Sequence, residues 1–154
     1  MGSVTESIVE ALASLNPNVV SFGNEQDAVG DEWIRKAEER LGRCLPTSYK
    51  WFLKKYAGGE IGGEEIYSIY GLEFETVRGG DIVYQHILDV KNNPAYSSRV
   101  AVAASDFGEV FFFDYLQFAD GECPVRLRLP SGEDIPYAAD FYEFLYKRIL
   151  AHTK

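Results

Sequence analysis

Apolar residues recur along this chain in two rhythms, and the places where one gives way to the other predict its elements. Ile8, Leu12 and Leu15 sit at helical spacing within Val4 to Leu15, and Asn16-Pro17 ends that pattern. Ser21 to Gly30 is polar enough to read as a loop. Ile34, Ala37 and Leu41 predict a second helix from about Asp31 to Leu41, with Asp31 and Glu32 placing negative charge in its first turn. Gly42 can take the left-handed conformation that closes a helix. Pro46 stands where the next one begins, because its missing N–H is one the first turn leaves unused. Tyr49, Phe52, Leu53 and Tyr56 then form a stripe at i, i+3, i+4 and i+7, with Lys50, Lys54 and Lys55 pointing away, and Gly58-Gly59 closes this third helix.

Beyond it the rhythm changes. Gly59, Gly62 and Gly63 mark a turn, and Ile66 to Tyr70, followed by Leu72 and Phe74, alternates as a strand does. Helical spacing returns in Val83, Ile87 and Val90, predicting a fourth helix over Asp81 to Val90 between Gly79-Gly80 and Asn92-Asn93-Pro94. Val100 to Ala104 and Glu109 to Tyr115 are rich in β-formers and read as a hairpin joined by Ser105-Asp106-Phe107-Gly108. After a turn at Asp120-Gly121, Cys123 to Leu129 alternates as a half-exposed strand, with Arg126 and Arg128 on its wet face. Pro130-Ser131-Gly132 turns the chain, Glu133 to Ile135 adds a short strand, and Asp140 to Ala151 closes with a helix packing Phe141, Phe144, Leu145 and Leu150. Lys147 and Arg148 lie near the negative end of that helix. Helices first, a strand meander second and a helix last predict an α+β fold: an antiparallel β-sheet meander with helices packed around it, in one domain spanning residues 1–154.

The second and third helices together read Ile-x-x-Ala-Glu-x-x-Leu-Gly-x-x-Leu-Pro-x-x-Tyr-x-x-Phe-Leu-x-x-Tyr-x-Gly-Gly, from Ile34 to Gly59. This string resembles the signature of the SMI1/KNR4 family, within the SUKH superfamily. Asp140-Phe141-Tyr142-Glu143-Phe144-Leu145 is similar to the Ser/Asp-Phe-x-x-Phe-Leu that opens the last helix of that family, so the core signature covers about residues 31–150. Glu60 to Leu129 matches only in its pattern of strands and turns, and Trp51 departs from the signature. The resemblance implies the family's fold. It further implies that a bacterial member is an immunity protein, one that binds and neutralises a cognate polymorphic toxin, commonly a nuclease, as a stoichiometric inhibitor without catalysis or cofactor. Fungal relatives act as interaction hubs within longer chains carrying disordered extensions. These 154 residues show none, which favours the bacterial expectation and leaves a regulatory or scaffold module of the same fold as the alternative.

Composition sharpens the expected partner. A hydrophobic content of 46%, with 14% aromatic, is ample for one packed core. The 24 acidic and 15 basic side chains give a formal net charge of -9, which repels nucleic acid and anionic membranes and favours a basic protein such as a toxin domain. Cys44 and Cys123 form no disulfide framework or C-x-x-C pair and are expected reduced and at least partly buried. No apolar run approaches the roughly 18 residues of a membrane span, so a cytoplasmic monomer or weak homodimer is expected. Met1-Gly2-Ser3 invites a lipidation reading of Gly2 that Glu6 argues against, since Ser or Thr is wanted there.

Candidate chemistry is sparse. His86 and His152 are the only histidines, which poorly supplies a zinc site or a Ser-His-Asp triad. The glycine pairs at Gly58, Gly62 and Gly79 lack the pattern of a phosphate loop and read as turns. Carboxylates are plentiful: Asp106, Glu109, Asp114, Asp120 and Glu122 gather at hairpin turns and strand ends. A pair of them could serve a small hydrolase as acid and base or hold a hard cation. No Asp-x-Asp-x-Asp-Gly run supports a cation, and acids at turns ordinarily make local hydrogen bonds. They serve better as an interface, joined by Glu60, Glu64, Glu65, Glu73 and Glu75 around the first strands, where Tyr67 and Tyr70 offer rigid amphipathic contact area. The expected partner-binding residues are Glu64, Glu65, Tyr67, Tyr70, Glu73, Asp106, Glu109, Asp114, Asp120 and Glu122, with no catalytic, cofactor or metal residues.

Overall fold

Thr5 begins the ordered architecture by accepting the Ile8 N–H into its hydroxyl, which opens α1 (Glu6–Leu15). The computed structural model describes residues 3–153, so Gly2 lies outside the described residues. α2 (Asp31–Leu41) buries Ile34, Ala37 and Leu41 and ends at Gly42, whose φ of 71° lets its N–H return to the Glu38 and Glu39 carbonyls. The corner that follows is locked by Glu38, whose carboxylate accepts the Leu45 N–H at 2.7 Å and faces the Lys50 ammonium at 3.4 Å. α3 (Thr47–Tyr56) starts directly after Pro46 and buries Tyr49, Phe52 and Leu53.

The end of α3 departs from expectation. Ala57, rather than Gly58, takes the positive φ, at 68° with ψ -38°, and donates its N–H to Leu53. A Cβ in this region costs about 1 kcal/mol. Ala57→Gly is therefore expected to stabilise the protein by about 0.5–1 kcal/mol, a rise of about 1–4 °C in Tm by differential scanning calorimetry. Gly59 stays glycine for space, because a Cβ there would meet the Ser21 carbonyl oxygen at 2.5 Å.

Seven strands lie side by side in chain order, each antiparallel to the next: β1 (Val20–Phe22), β2 (Gly59–Ile61), β3 (Glu64–Ile66), β4 (Arg99–Ala104), β5 (Val110–Asp114), β6 (Val125–Arg128) and β7 (Asp134–Ala138). α4 (Ile82–Asn92) connects β3 to β4, and α5 (Phe141–Ala151) follows β7. This is the α+β class the patterning predicts. One face of β5 delivers Phe111 and Phe113 to the core, where Tyr49 meets Phe113 and Phe144 meets Phe111 edge to face, both at a centroid separation of 5.3 Å, and Phe141 lies tilted against Phe113 at 5.8 Å. Such pairs add about 0.5–1.5 kcal/mol each beyond their burial. The Tyr49 hydroxyl, fully buried, finds its acceptor in the Tyr67 carbonyl at 2.7 Å.

Several details differ from the sequence reading. Val20–Phe22 is a strand that runs into the stretch read as loop from Ser21, while pairing along β3 stops at Ile66, leaving Leu72 and Phe74 in a loop. Phe74 and Val77 still peg that loop to the core, Phe74 against Trp33 at 5.7 Å. β7 runs to Ala138 and is an edge strand, the place in a sheet where a proline such as Pro136 is tolerated. In α5 it is Ile149 that faces the core, at 0% exposure, and Leu150 is 39% exposed. Cys123 is buried, whereas Cys44 is exposed. Among the described residues no helix is long and apolar enough to cross a membrane.

α4 presents Ile82, Val83 and His86 to the interior, with Ile87 packed at the margin. Burial, and then the Arg43 guanidinium, hold the His86 imidazole below its ordinary pKa of 6.5. As pH falls through that value the unfolded chain takes up the proton before the folded one does, so stability falls with it. Urea unfolding is expected to show wild type losing stability relative to His86→Gln between about pH 7.5 and about pH 5.5.

Candidate functional site

Strand parity sorts the acids of β2 and β3 into two sets. Glu64 shares a face with buried Ile66 and points inward, where Arg148 of α5 pairs with it and His152 lies 3.5 Å away. Glu65 points the other way. Its register partner across the strand pair is Glu60, so two exposed carboxylates stand directly opposite each other. Among the described residues neither has a cation within ion-pair distance. Like charges in this arrangement destabilise a sheet by about 0.2–1 kcal/mol.

Tyr70 ties this acidic pair to a groove. Its hydroxyl donates to Glu65 and accepts the Gly80 N–H at 2.9 Å. Burial, and then the Glu65 bond, push the phenol up to about 12, so it stays a donor at any physiological pH. The backbone of Tyr70 is held by Asp81, fully buried, whose Oδ2 accepts the Tyr70 N–H while Oδ1 accepts those of Val83 and Tyr84, all at 3.0 Å. One carboxylate thus caps α4 and fixes the loop that carries the tyrosine.

The groove beside Tyr70 encloses about 510 Å³. Gly58 and Gly59 line it together with Val29, Tyr56, Ile69 and Leu72, and Asp27 adds an acid. Leu72 is 58% exposed and Tyr70 39%, an apolar ledge next to unpaired carboxylates.

The remaining expected residues scatter. Tyr67 is half-buried, its phenol pushed up by that burial, and its main chain bonds Val102 and Tyr49. Glu73 is exposed and lines a second groove with Trp33 and Lys36, while Glu75 pairs with Arg40 at 2.7 Å. Asp106 is exposed at the β4–β5 turn, where Glu109 accepts from the Ser105 hydroxyl at 3.0 Å. Asp120, at φ 54°, is exposed in the next turn. Two others are committed within the fold. Asp114 accepts from the Leu116 N–H and the Gln117 amide. Glu122 accepts both the N–H and the hydroxyl of buried Ser48, whose oxygen in turn accepts the Phe141 N–H, so one carboxylate secures the start of α3 and, through Ser48, that of α5.

Of the expected set, Glu65 and Tyr70 are brought into contact, and Glu60, Leu72 and Asp27 join them; Leu72 and Asp27 were not anticipated. Gly71, at φ 76°, was the available sign that Leu72 sits on a turn. Acid–base chemistry would want two carboxylates of raised pKa in one open pocket. Burial does raise Glu122 and Asp140, but Asp140 accepts the Glu143 N–H at 2.9 Å as the cap of α5, and Glu122 is engaged by Ser48. Among the described residues no group of three or more His, Cys, Asp or Glu is placed to hold a metal ion. Trp51 is half-buried against Tyr56 and Tyr142 at 5.7 and 5.4 Å. A family model described as SMI1-KNR4 cell-wall (SUKH_6) matches residues 31–145, from the first residue of α2 into α5.

Proposed function

Because the chain belongs to the SMI1-KNR4 family of the SUKH superfamily, where protein–protein interaction is the expected mode, we propose that it is an immunity protein. In this reading it binds a cognate polymorphic toxin, of nuclease type, and neutralises it by stoichiometric contact without catalysing a reaction. It works as a single SMI1/KNR4-like domain over residues 1–154, in the cytoplasm, as a monomer or weak homodimer.

The observation that carries the reading is the unpaired cross-strand couple Glu60 and Glu65, bonded through Tyr70 to a glycine-lined groove with exposed Leu72 on its margin. Two facing carboxylates without a cation cost the free protein stability and gain on contact with a basic surface, which also speeds encounter. Tyr70 and Leu72 supply the apolar contact that charge alone does not. Glu60, Glu65, Tyr70 and Leu72 form the proposed contact surface.

Affinity capture with the tagged protein in its native organism, washed at rising salt, tests this. Recovery of one basic toxin domain in equal amount, released as salt rises, is expected, and co-expression with that domain should restore growth. Recovery of a housekeeping regulator, or a captured toxin whose activity persists in the complex, would overturn the immunity reading.

A further inference from the structure

The sheet ends in two edges, β1 and β7, and only β7 is guarded. There Pro136 brings no N–H, the Asp134 carbonyl accepts from Arg126 at 3.3 Å, and the Tyr137 carbonyl accepts from the Lys147 ammonium at 2.6 Å. Proline and lysine on an edge keep further strands from pairing with it. β1 is different. Gly62 donates to the Val19 carbonyl at 2.8 Å and Gly23 to the Gly58 carbonyl at 2.9 Å, so Val19, Ser21 and Gly23 turn their main chain toward β2. Val20, Phe22 and Asn24 alternate with them and turn theirs away. Val20 returns its N–H to the Asn16 carbonyl at 3.0 Å. The Val20 carbonyl, both main-chain groups of Phe22 and the Asn24 N–H have no partner among the described residues, and Asn24 prolongs the extended path at φ -141° and ψ 171°.

This open edge is continuous with the acidic couple. Ser21 stands in register with Glu60, and Glu60 with Glu65, so the three form one exposed row across β1, β2 and β3. Gly23, the residue after β1, lines the groove that Tyr70 and Leu72 also border. A chain laid along β1 therefore runs beside the uncompensated carboxylates and on toward the groove.

We infer that the partner protein docks on the β1 edge by adding a strand: an extended segment lies antiparallel to Val20–Asn24 and places a lysine or arginine opposite Ser21. Unpaired main-chain donors and acceptors at strand spacing are what an extended backbone satisfies. The partner residue opposite Phe22 exchanges both bonds with it, and the residues two places to either side take the Val20 carbonyl and the Asn24 N–H. The basic side chain follows from the row. Residues directly opposite share a face, so a side chain facing Ser21 starts about 10 Å from the Glu60 backbone, a span that lysine and glutamate bridge together across the small serine. A second copy of this chain fits badly, because pairing two β1 edges brings the two acidic rows toward each other in a chain of net charge -9. The inference deepens the proposed contact surface and rests on it, yet its probe is a peptide of defined sequence, so it can fail while the capture of a toxin succeeds.

The test is a titration of the isotopically labelled full chain with acetyl-Val-Thr-Val-Lys-Val-amide, whose central valine is to lie opposite Phe22, followed by amide chemical shifts and hydrogen exchange. Saturable shifts at Ser21, Phe22, Gly23, Asn24 and Glu60 are expected, with a dissociation constant in the millimolar range. Exchange at Phe22 and Asn24, fast in the free chain, should slow on binding. N-methylation of the central valine removes the donor to the Phe22 carbonyl and should weaken binding at least about threefold. Glutamate in place of the peptide's lysine should also cost at least about threefold, and Glu60→Gln, a change at an exposed side chain, should shrink that preference. No localised shifts up to about 10 mM peptide, shifts centred on β7, or an N-methylated peptide that binds as well as its parent would overturn the docked strand. Equal binding of the lysine and glutamate peptides would overturn its basic register. Shifts at Phe22 and Asn24 that grow with protein concentration alone would give the edge to a second copy and overturn the inference as well.

Discussion

Glu60→Lys is expected to stabilise the free protein and to cripple its binding in the same step. The lysine would face Glu65 across the β2–β3 pair and turn a repulsive couple into an attractive one. The sheet should gain about 0.5–1 kcal/mol, read as a Tm rise of about 1–4 °C. Against the partner the change removes one carboxylate and neutralises another in place. Like-charge contact across an interface costs several kcal/mol, so a roughly 100-fold or larger loss of affinity by calorimetric titration is expected, with much of it in the association rate at low salt. Unchanged binding would remove the acidic couple from the interface. A stability loss would mean that Glu60 makes a favourable contact in the free chain.

Asp81→Ala should do the most damage to the fold itself. Its carboxylate is fully buried and takes three main-chain N–H groups, two from the first turn of α4 and one from Tyr70. Alanine leaves all three without an acceptor, a loss of about 3–5 kcal/mol and about 10 °C or more in Tm. Asp81→Asn keeps one acceptor oxygen and is the informative variant, because it should fold. Hydrogen exchange at Tyr70, Val83 and Tyr84 should then accelerate ahead of exchange in β4 and β5. Since Asp81 holds the loop that carries Tyr70 and Leu72, its loosening should also weaken partner binding without touching a contact residue. Protection at Tyr70 equal to wild type would show that the loop is held by something other than Asp81.

The sequence made some of this plain, and the reasons are local. Gly42, Pro46 and a four-residue apolar stripe specify the α2–α3 corner because each acts within a turn or two of itself. β4 and β5 were legible because Val, Ala and Phe run uninterrupted on both sides of a short turn. β1 was not, since three residues that run into Gly23 and Asn24 acquire strand character only from the β2 edge they meet. Ala57 escaped notice because nothing in alanine announces a left-handed conformation; the chain path to β2 imposes it.

The candidate surface follows the same logic. Glu64 and Glu65 are adjacent and chemically alike, yet one is paired with Arg148 and the other is open to solvent. Parity with Ile66 distinguishes them, but only once the strand is placed at Glu64–Ile66 rather than at Ile66 onward. Asp114 carried a readable local sign, an acid two residues before the N–H it captures. Glu122 carried none, because Ser48 lies 74 residues away. Leu72 owes its standing to what is missing around it, which only the folded arrangement reveals.

The strand order from β1 to β7 has a bearing on time as well as shape. Every strand pairs with the next one along the chain, so no segment waits for a distant, later-made neighbour to slot between two earlier ones. Pairing can advance in the order of synthesis, with β7 and α5 completing the sheet and its aromatic core once the earlier strands are in place. Loop closure is costly for strands that must find remote partners, and this meander avoids most of that search. For a protein proposed to neutralise a toxin made in the same cell, the interval between translation and a competent surface is the period of exposure, and this topology shortens it.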